Sequence, residues 1–126
     1  MEFDVVLGLG RIVAGTSKSF SFTIQENLTP FVPTNLFITI YDEATGQIVN
    51  TKNEFELTPV GDYVNVSGLA TVPLSPADNT LLNTLLKPVA EVHRIRMRWT
   101  WSGGTKVGKG LAYLTVEPQD KERDAA

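Results

Sequence analysis

Polar and apolar residues alternate along much of this chain, most clearly over residues 91–118, EVHRIRMRWTWSGGTKVGKGLAYLTVEP. Successive side chains of a strand point to opposite faces, so an alternating run predicts a half-buried β-strand. In the first half of this segment His93, Ile95, Met97, Trp99 and Trp101 fall on one face. Val92, Arg94, Arg96, Arg98 and Thr100 fall on the other. Ser102-Gly103-Gly104 supplies a tight turn, and the segment reads as a closing hairpin.

The same period recurs upstream. In residues 18–25, KSFSFTIQ, Phe20, Phe22 and Ile24 face inward and Ser19, Ser21 and Thr23 outward. Residues 35–42, NLFITIYD, place Leu36, Ile38 and Ile40 on one face and Phe37, Thr39 and Tyr41 on the other. Asp42-Glu43-Ala44-Thr45-Gly46 has turn chemistry, with residues 47–51 as a return strand at a sheet edge. Residues 54–58 and 61–66 are weaker strands, and 69–74 another. Residues 3–7 and 11–14 are β-branched segments divided by Gly8-Leu9-Gly10, which predicts a bulge or bend, or an arm followed by a strand.

One helix is predicted, short and near residues 76–86. Ser75 can cap, Pro76 suits the first helical position, and Asp78 completes a capping box. Leu81 with Leu85 and Leu82 with Leu86 then stack at i, i+4, and Pro88 ends the run. Roughly seven to nine short strands without β-helix-β alternation predict an all-β fold, an immunoglobulin-like β-sandwich, with a small barrel as the alternative. The expected organisation is an arm or first strand at 1–10, the sandwich at 11–118 and a charged mobile tail at 119–126.

Composition narrows the class. At 126 residues the chain fits one domain that can hold a core without staples. It has no cysteine, so there is no disulfide frame, thiolate nucleophile or cysteine zinc site. The formal charge of −3 disfavours nucleic acid as a partner. No apolar run approaches a membrane span, and the N-terminus lacks a basic signal-peptide region. Synthesis in a cytoplasm is the expectation.

Candidate chemistry is sparse. Gly8-x-Gly10 lacks the third glycine of a dinucleotide fingerprint, since residue 13 is Val. His93, the one histidine, lies on the apolar face and reads as a packed core residue. Asp42 is explained by its turn, and Glu54 and Glu56 have no partner acid that sequence can place across a cleft. No catalytic residue, metal site or cofactor is expected. Trp99 and Trp101 read as core filling, with Trp101 partly exposed beside the turn.

Arg94, Arg96 and Arg98 form the candidate interface. Residues 91–109 hold five basic groups and one acid, a local +4, whereas residues 117–126 hold four acids and two bases, −2. Such asymmetry fits head-to-tail contact between copies. The arginine face also fits an anionic partner surface, or pairing with acidic strands of the same sheet, since like charges two residues apart need counter-charges. A solvated arginine face, with wet heads over apolar stems, is the plain alternative.

The segment order carries a resemblance. RIVAGTSKSFSFTIQ opens as a strand pair, LFITIYDEATGQIV is strand, turn and return, VPLSPADNTLL joins a strand to a short helix, and RMRWTWSGGTKVGKGLAYLTVEP closes as a hairpin. Over residues 11–118 this resembles the small immunoglobulin-like virion proteins of tailed bacteriophages, including the N-terminal domain of baseplate upper proteins. It departs from them in having Ala14-Gly15-Thr16 where related domains often carry Gly-Asp, and in its extra residues 1–10. The resemblance implies a non-enzymatic structural role through protein–protein contact, as capsid decoration or as a tail or baseplate accessory. It implies many copies or a homo-oligomer on the particle, made in the bacterial host cytoplasm and located in the virion. The alternative is a carbohydrate-binding or host-adhesion module stacking sugars on Phe31, Tyr41, Tyr63 and Trp101.

Overall fold

Strand chemistry dominates the structure, a computed structural model that describes residues 3–82 and 89–118. Nine strand segments follow in chain order: β1 (Val5–Val13), β2 (Lys18–Thr23), β3 (Gln25–Glu26), β4 (Thr29–Pro30), β5 (Asn35–Asp42), β6 (Phe55–Glu56), β7 (Leu69–Leu74), β8 (Glu91–Trp101) and β9 (Lys106–Glu117). A five-stranded sheet runs β1-β9-β8-β5-β6, and β2 pairs with β7 in a second ladder. β3 and β4 form a two-residue hairpin whose corner residues Asn27 and Leu28 take positive φ.

The large sheet is mixed. β8 is antiparallel to β5 and β9, with Trp99 opposite Leu36 and Gly108, and Ile95 opposite Ile40 and Ala112. β1 instead runs parallel to β9, from Val5 opposite Gly110 to Val13 opposite Glu117, with a register shift between Gly8 and Arg11. Gly10 sits in that shift with φ of +80°, a conformation L-residues with a Cβ avoid. Residues 5–13 are therefore one bulged strand, and the expected break at residue 10 falls inside it. The bulge at this edge, and the two-residue β6 at the other, limit edge-to-edge pairing.

Alternation decides the core. The inward faces of β5 (Leu36, Ile38, Ile40), β8 (His93, Ile95, Met97, Trp99) and β9 (Ala112, Leu114, Val116) are buried. They share one cluster with Phe20 and Phe22 of β2 and Ala70, Val72 and Leu74 of β7. The rings of Phe22 and Trp99 lie 5.6 Å apart across the two sheets. Each fully buried Leu, Ile or Phe contributes about 1.5–3 kcal/mol, so this shared interior is the main source of stability.

Three expected strands take other forms. The return strand at 47–51 reduces to one bridge, Tyr41 with Ile48, because Asn50 and Thr51 adopt positive φ and bulge the segment out of register, while the Val49 N–H and the Lys52 carbonyl still bond to Ile40. Of the residues 54–66, only Phe55–Glu56 pair as a strand, while Val60–Asp62 form a 3-10 turn.

The helix at 76–86 is a 3-10 turn, Pro76–Asn79, after which Thr80 is extended. Its polar side chains serve neighbouring segments. Asp78 Oδ2 accepts from the Ser75 N–H at 2.9 Å, and Oδ1 accepts from Asn50 and Lys52 at 2.8 and 2.9 Å. Asn79 Nδ2 donates to the Thr16 carbonyl at 2.8 Å, and the Gly15 N–H donates to the Asn79 carbonyl. The turn thereby ties the β1–β2 corner to the 50–52 loop. The expected Leu85 and Leu86 contacts and the tail from residue 119 lie outside the described residues.

Candidate functional site

The three arginines share the outer face of the five-stranded sheet, at the middle of β8. Register places Arg94 between Tyr41 and Tyr113, Arg96 between Thr39 and Leu111, and Arg98 between Phe37 and Lys109. Each guanidinium lies over an aromatic ring: Arg94 over Tyr113 at 5.0 Å, Arg96 over Tyr41 at 5.5 Å, and Arg98 over Phe37 at 4.3 Å. Such stacking adds cation–π attraction and keeps the planar groups flat on the sheet.

Their charges are balanced unequally. Arg94 Nη2 and Nε donate to Glu43 Oε2 at 2.7 and 3.0 Å. Hydrogen bonding to the Glu43 carboxylate, then to the Tyr41 hydroxyl, holds Arg94's pKa above its ordinary value. Arg98 Nε donates to Glu54 Oε1 at 2.9 Å. Arg96 is exposed, and no carboxylate among the described residues pairs with it. The local positive excess of the sequence is thus largely offset in space by Glu43 and Glu54, both from the connection between β5 and β6. Of the three, Arg96 alone has no ion pair among the described residues, and it lies at the centre of an arginine–aromatic ladder.

The four aromatics of the adhesion alternative do not form one platform. Phe31 packs on Trp101 with ring centroids 4.7 Å apart, and Trp101 Nε1 donates to Glu26. Glu26 also accepts from Lys106, the main cause of its lowered pKa, opposed by partial burial. Tyr63 packs against the core. Tyr41 pairs with Arg94, on the opposite face from Trp101 and seven residues distant along β8. At about 3.3 Å per residue that is roughly 23 Å.

A second constellation joins two residues of β8 to one of β5. Asp42, Glu91 and His93 bring one potential ligand atom each within 4.8 Å of one another. Asp42 is the register partner of His93, at the end of the β5–β8 ladder. Glu91 stands two residues before His93 on the same strand face, and its Oε1 lies 2.9 Å from His93 Nε2. The Leu82 N–H donates to both Glu91 oxygens, at 2.9 and 3.1 Å. Asp42 Oδ2 accepts the Thr45 N–H and hydroxyl, at 3.1 and 2.9 Å, which closes the 42–46 turn. His93 and Asp42 are buried, and His93 Nδ1 has no hydrogen-bond partner among the described residues. A surface pocket of about 340 Å³, lined by Asp42, Thr45, Val89 and Glu91 among others, opens beside the three. The signal that points to them is Glu-x-His at i, i+2 on one strand face, but Asp42 joins only through cross-strand register.

No protein-family model matches the chain, and no curated protein matches it. Among solved structures, one similarity is to the crystal structure of a sialyltransferase from Photobacterium damsela. It covers 91% of this chain at 9% identity with a TM-score of 0.36. The chain spans only 18% of the length of that protein, and so slight a likeness carries no argument. Among the described residues no helix is long and apolar enough to cross a membrane.

Proposed function

We propose that this chain is a non-enzymatic interaction module, an immunoglobulin-like β-sandwich that serves as a structural component of a tailed-bacteriophage virion. The strand arrangement supports the finer fold reading. β5, β8 and β9 stand together as the C, F and G strands do in immunoglobulin domains, with β2 and β7 in the places of B and E. The segment resemblance supplies the virion setting: assembly in the host cytoplasm, on capsid, tail or baseplate proteins, in many copies.

The observation that carries the interaction role is the ladder on the outer sheet face. Arg94, Arg96 and Arg98 interleave with Phe37, Tyr41 and Tyr113 on a strand-built surface. Arginine and tyrosine are enriched where proteins meet. Sugar stacking is less well supported, because Phe31 and Trp101 pack on each other and Tyr41 lies on the opposite face.

Mass spectrometry of purified particles tests the proposal. The chain is expected at a stoichiometry matching a symmetric position on the particle. Particles without it, from cells in which it is expressed, would overturn the virion assignment.

A further inference from the structure

We propose that Asp42, Glu91 and His93 form a binding site for one divalent first-row transition ion, of the zinc or manganese class. The inference is independent of the virion assignment. It rests on three observations.

The donor set comes first. Two carboxylates and one imidazole lie within 4.8 Å of one another, and His93 Nε2 and Glu91 Oε1 are already 2.9 Å apart. Ligands about 2.1 Å from a metal stand about 3.0 Å apart at a right angle and about 3.4 Å apart at the tetrahedral angle. The pair is joined by a hydrogen bond, Nε2–H donating to Oε1. An ion that displaces that proton finds the two atoms near coordination spacing, and a shift of about 1 Å or more in Asp42 closes the set. The imidazole suits zinc and the two carboxylates suit zinc or manganese, whereas magnesium and calcium prefer all-oxygen sites.

Burial and polar satisfaction come second. His93 is 1% exposed, and the nitrogen it presents to the cluster is Nε2, against Glu91 Oε1. Asp42 is 6% exposed and has no cationic partner among the described residues, only the Thr45 donors. A buried carboxylate without a counter-charge is costly, and a bound cation removes that cost.

Access and support come third. The pocket beside the cluster reaches Asp42 and Glu91 from solvent and leaves room for water ligands. The Thr45 donors hold Asp42 through Oδ2 and the Leu82 N–H holds Glu91 at both oxygens, so neighbouring donors orient both carboxylates, as supporting groups around metal ligands do. Because Asp42 and His93 sit on different strands, the ion would clamp the 42–46 turn to the start of β8.

The test uses the untagged full chain, titrated with zinc chloride and, separately, manganese chloride, with calcium and magnesium as controls. His93 is the one histidine in the chain, so its ring protons give an unambiguous readout by NMR. One equivalent of zinc is expected to shift them, and manganese to broaden them, with a rise in the thermal midpoint. Calcium and magnesium are expected to leave them unchanged. Glu91→Gln is expected to weaken zinc binding at least tenfold. Zinc at millimolar concentration that leaves the ring protons unmoved overturns the proposal. So does binding elsewhere on the chain with those signals unaltered, or a folded Glu91→Gln protein that binds as the parent does. The ring-proton readout on the unmodified chain stands even if the substitution impairs folding.

Discussion

Gly108 lies directly beneath the indole of Trp99: a Cβ on residue 108 would sit 2.1 Å from Trp99 Nε1. The two are register partners on β9 and β8. Trp99 is buried and its Nε1 has no hydrogen-bond partner among the described residues, so packing holds the ring. The indole bends flat across the neighbouring strand, and only a residue without a side chain leaves it that space. The absence of a side chain at 108 is thus what lets the largest core residue join the sheets, through its contact with Phe22.

Gly108→Ala is therefore expected to destabilise the protein, at or above the upper end of the about 1–3 kcal/mol typical of overpacking. Gly110→Ala is the matched control. Its Cβ would meet the Met97 methyl at 3.0 Å, the end of a flexible side chain that can move aside. Removing a glycine also restricts the unfolded chain, a gain of about 0.4–1 kcal/mol. Urea unfolding of the two variants measures the contrast. Equal losses at both positions would show that the indole tolerates a methyl group at 108.

Asp78 links stability to acid. Burial alone would raise its pKa, but hydrogen bonds from Asn50 and Lys52, the Ser75 N–H and the Lys52 charge outweigh burial and hold it below the ordinary 3.8. A carboxyl depressed in the folded state stabilises the fold above its unfolded value, and that contribution is lost as pH falls through the folded value. Asp78→Asn is expected to lower stability by about 2 kcal/mol at pH 7, the scale of hydrogen bonds to a charged group. The gap between parent and variant should narrow as pH falls below 3.8. Denaturant midpoints from pH 7 to pH 2 measure it, and a gap constant over that range would refute the assignment.

The Arg98–Glu54 pair should behave differently from the buried Lys52–Asp78 pair. Both of its side chains are about one third to one half exposed, at 33% and 47%, so solvent screens their attraction. A double-mutant cycle with Arg98→Gln and Glu54→Gln is expected to give a coupling below about 1 kcal/mol. That coupling should shrink further in 1 M salt. A value of several kcal/mol that is insensitive to salt would mean that the outer face is a structural lock.

How far the sequence announces this structure differs by element. The β-rich class and the faces of β2, β5, β7 and β8 follow from strict alternation, which places Ile95, Met97 and Trp99 inside and the arginines outside. Elements that depend on distant partners are not legible. The parallel pairing of β1 with β9 joins residues about a hundred positions apart and leaves no local mark. The 76–86 helix shows the opposite failure. Its start signals are strong, but Asp78 and Asn79 bind other segments, and Thr80 leaves the helix. The candidate interface divides likewise. Arg94, Arg96 and Arg98 are visible as a face, whereas their neutralisation by Glu43 and Glu54 needs the folded loops. The Asp42 contribution to the histidine cluster needs strand register.

The unequal pairing of the three arginines makes the proposed interface separable from the fold. Arg94 and Arg98 are anchored by Glu43 and Glu54, while Arg96 stands exposed over Tyr41 without an ion pair among the described residues. Arg96→Glu is expected to change folding stability by no more than about 0.5 kcal/mol, as for a surface position. Its effect should fall on association. A reversed charge at the centre of the ladder is expected to weaken incorporation into particles at least tenfold, the scale of one interface arginine. Replacing all three arginines by glutamine should remove incorporation while circular dichroism reports an intact β fold. Quantifying the chain in particles assembled with each variant separates the outcomes. If the triple replacement assembles as the parent does, the outer face of β8 is a solvated surface, and the contact lies elsewhere on the molecule.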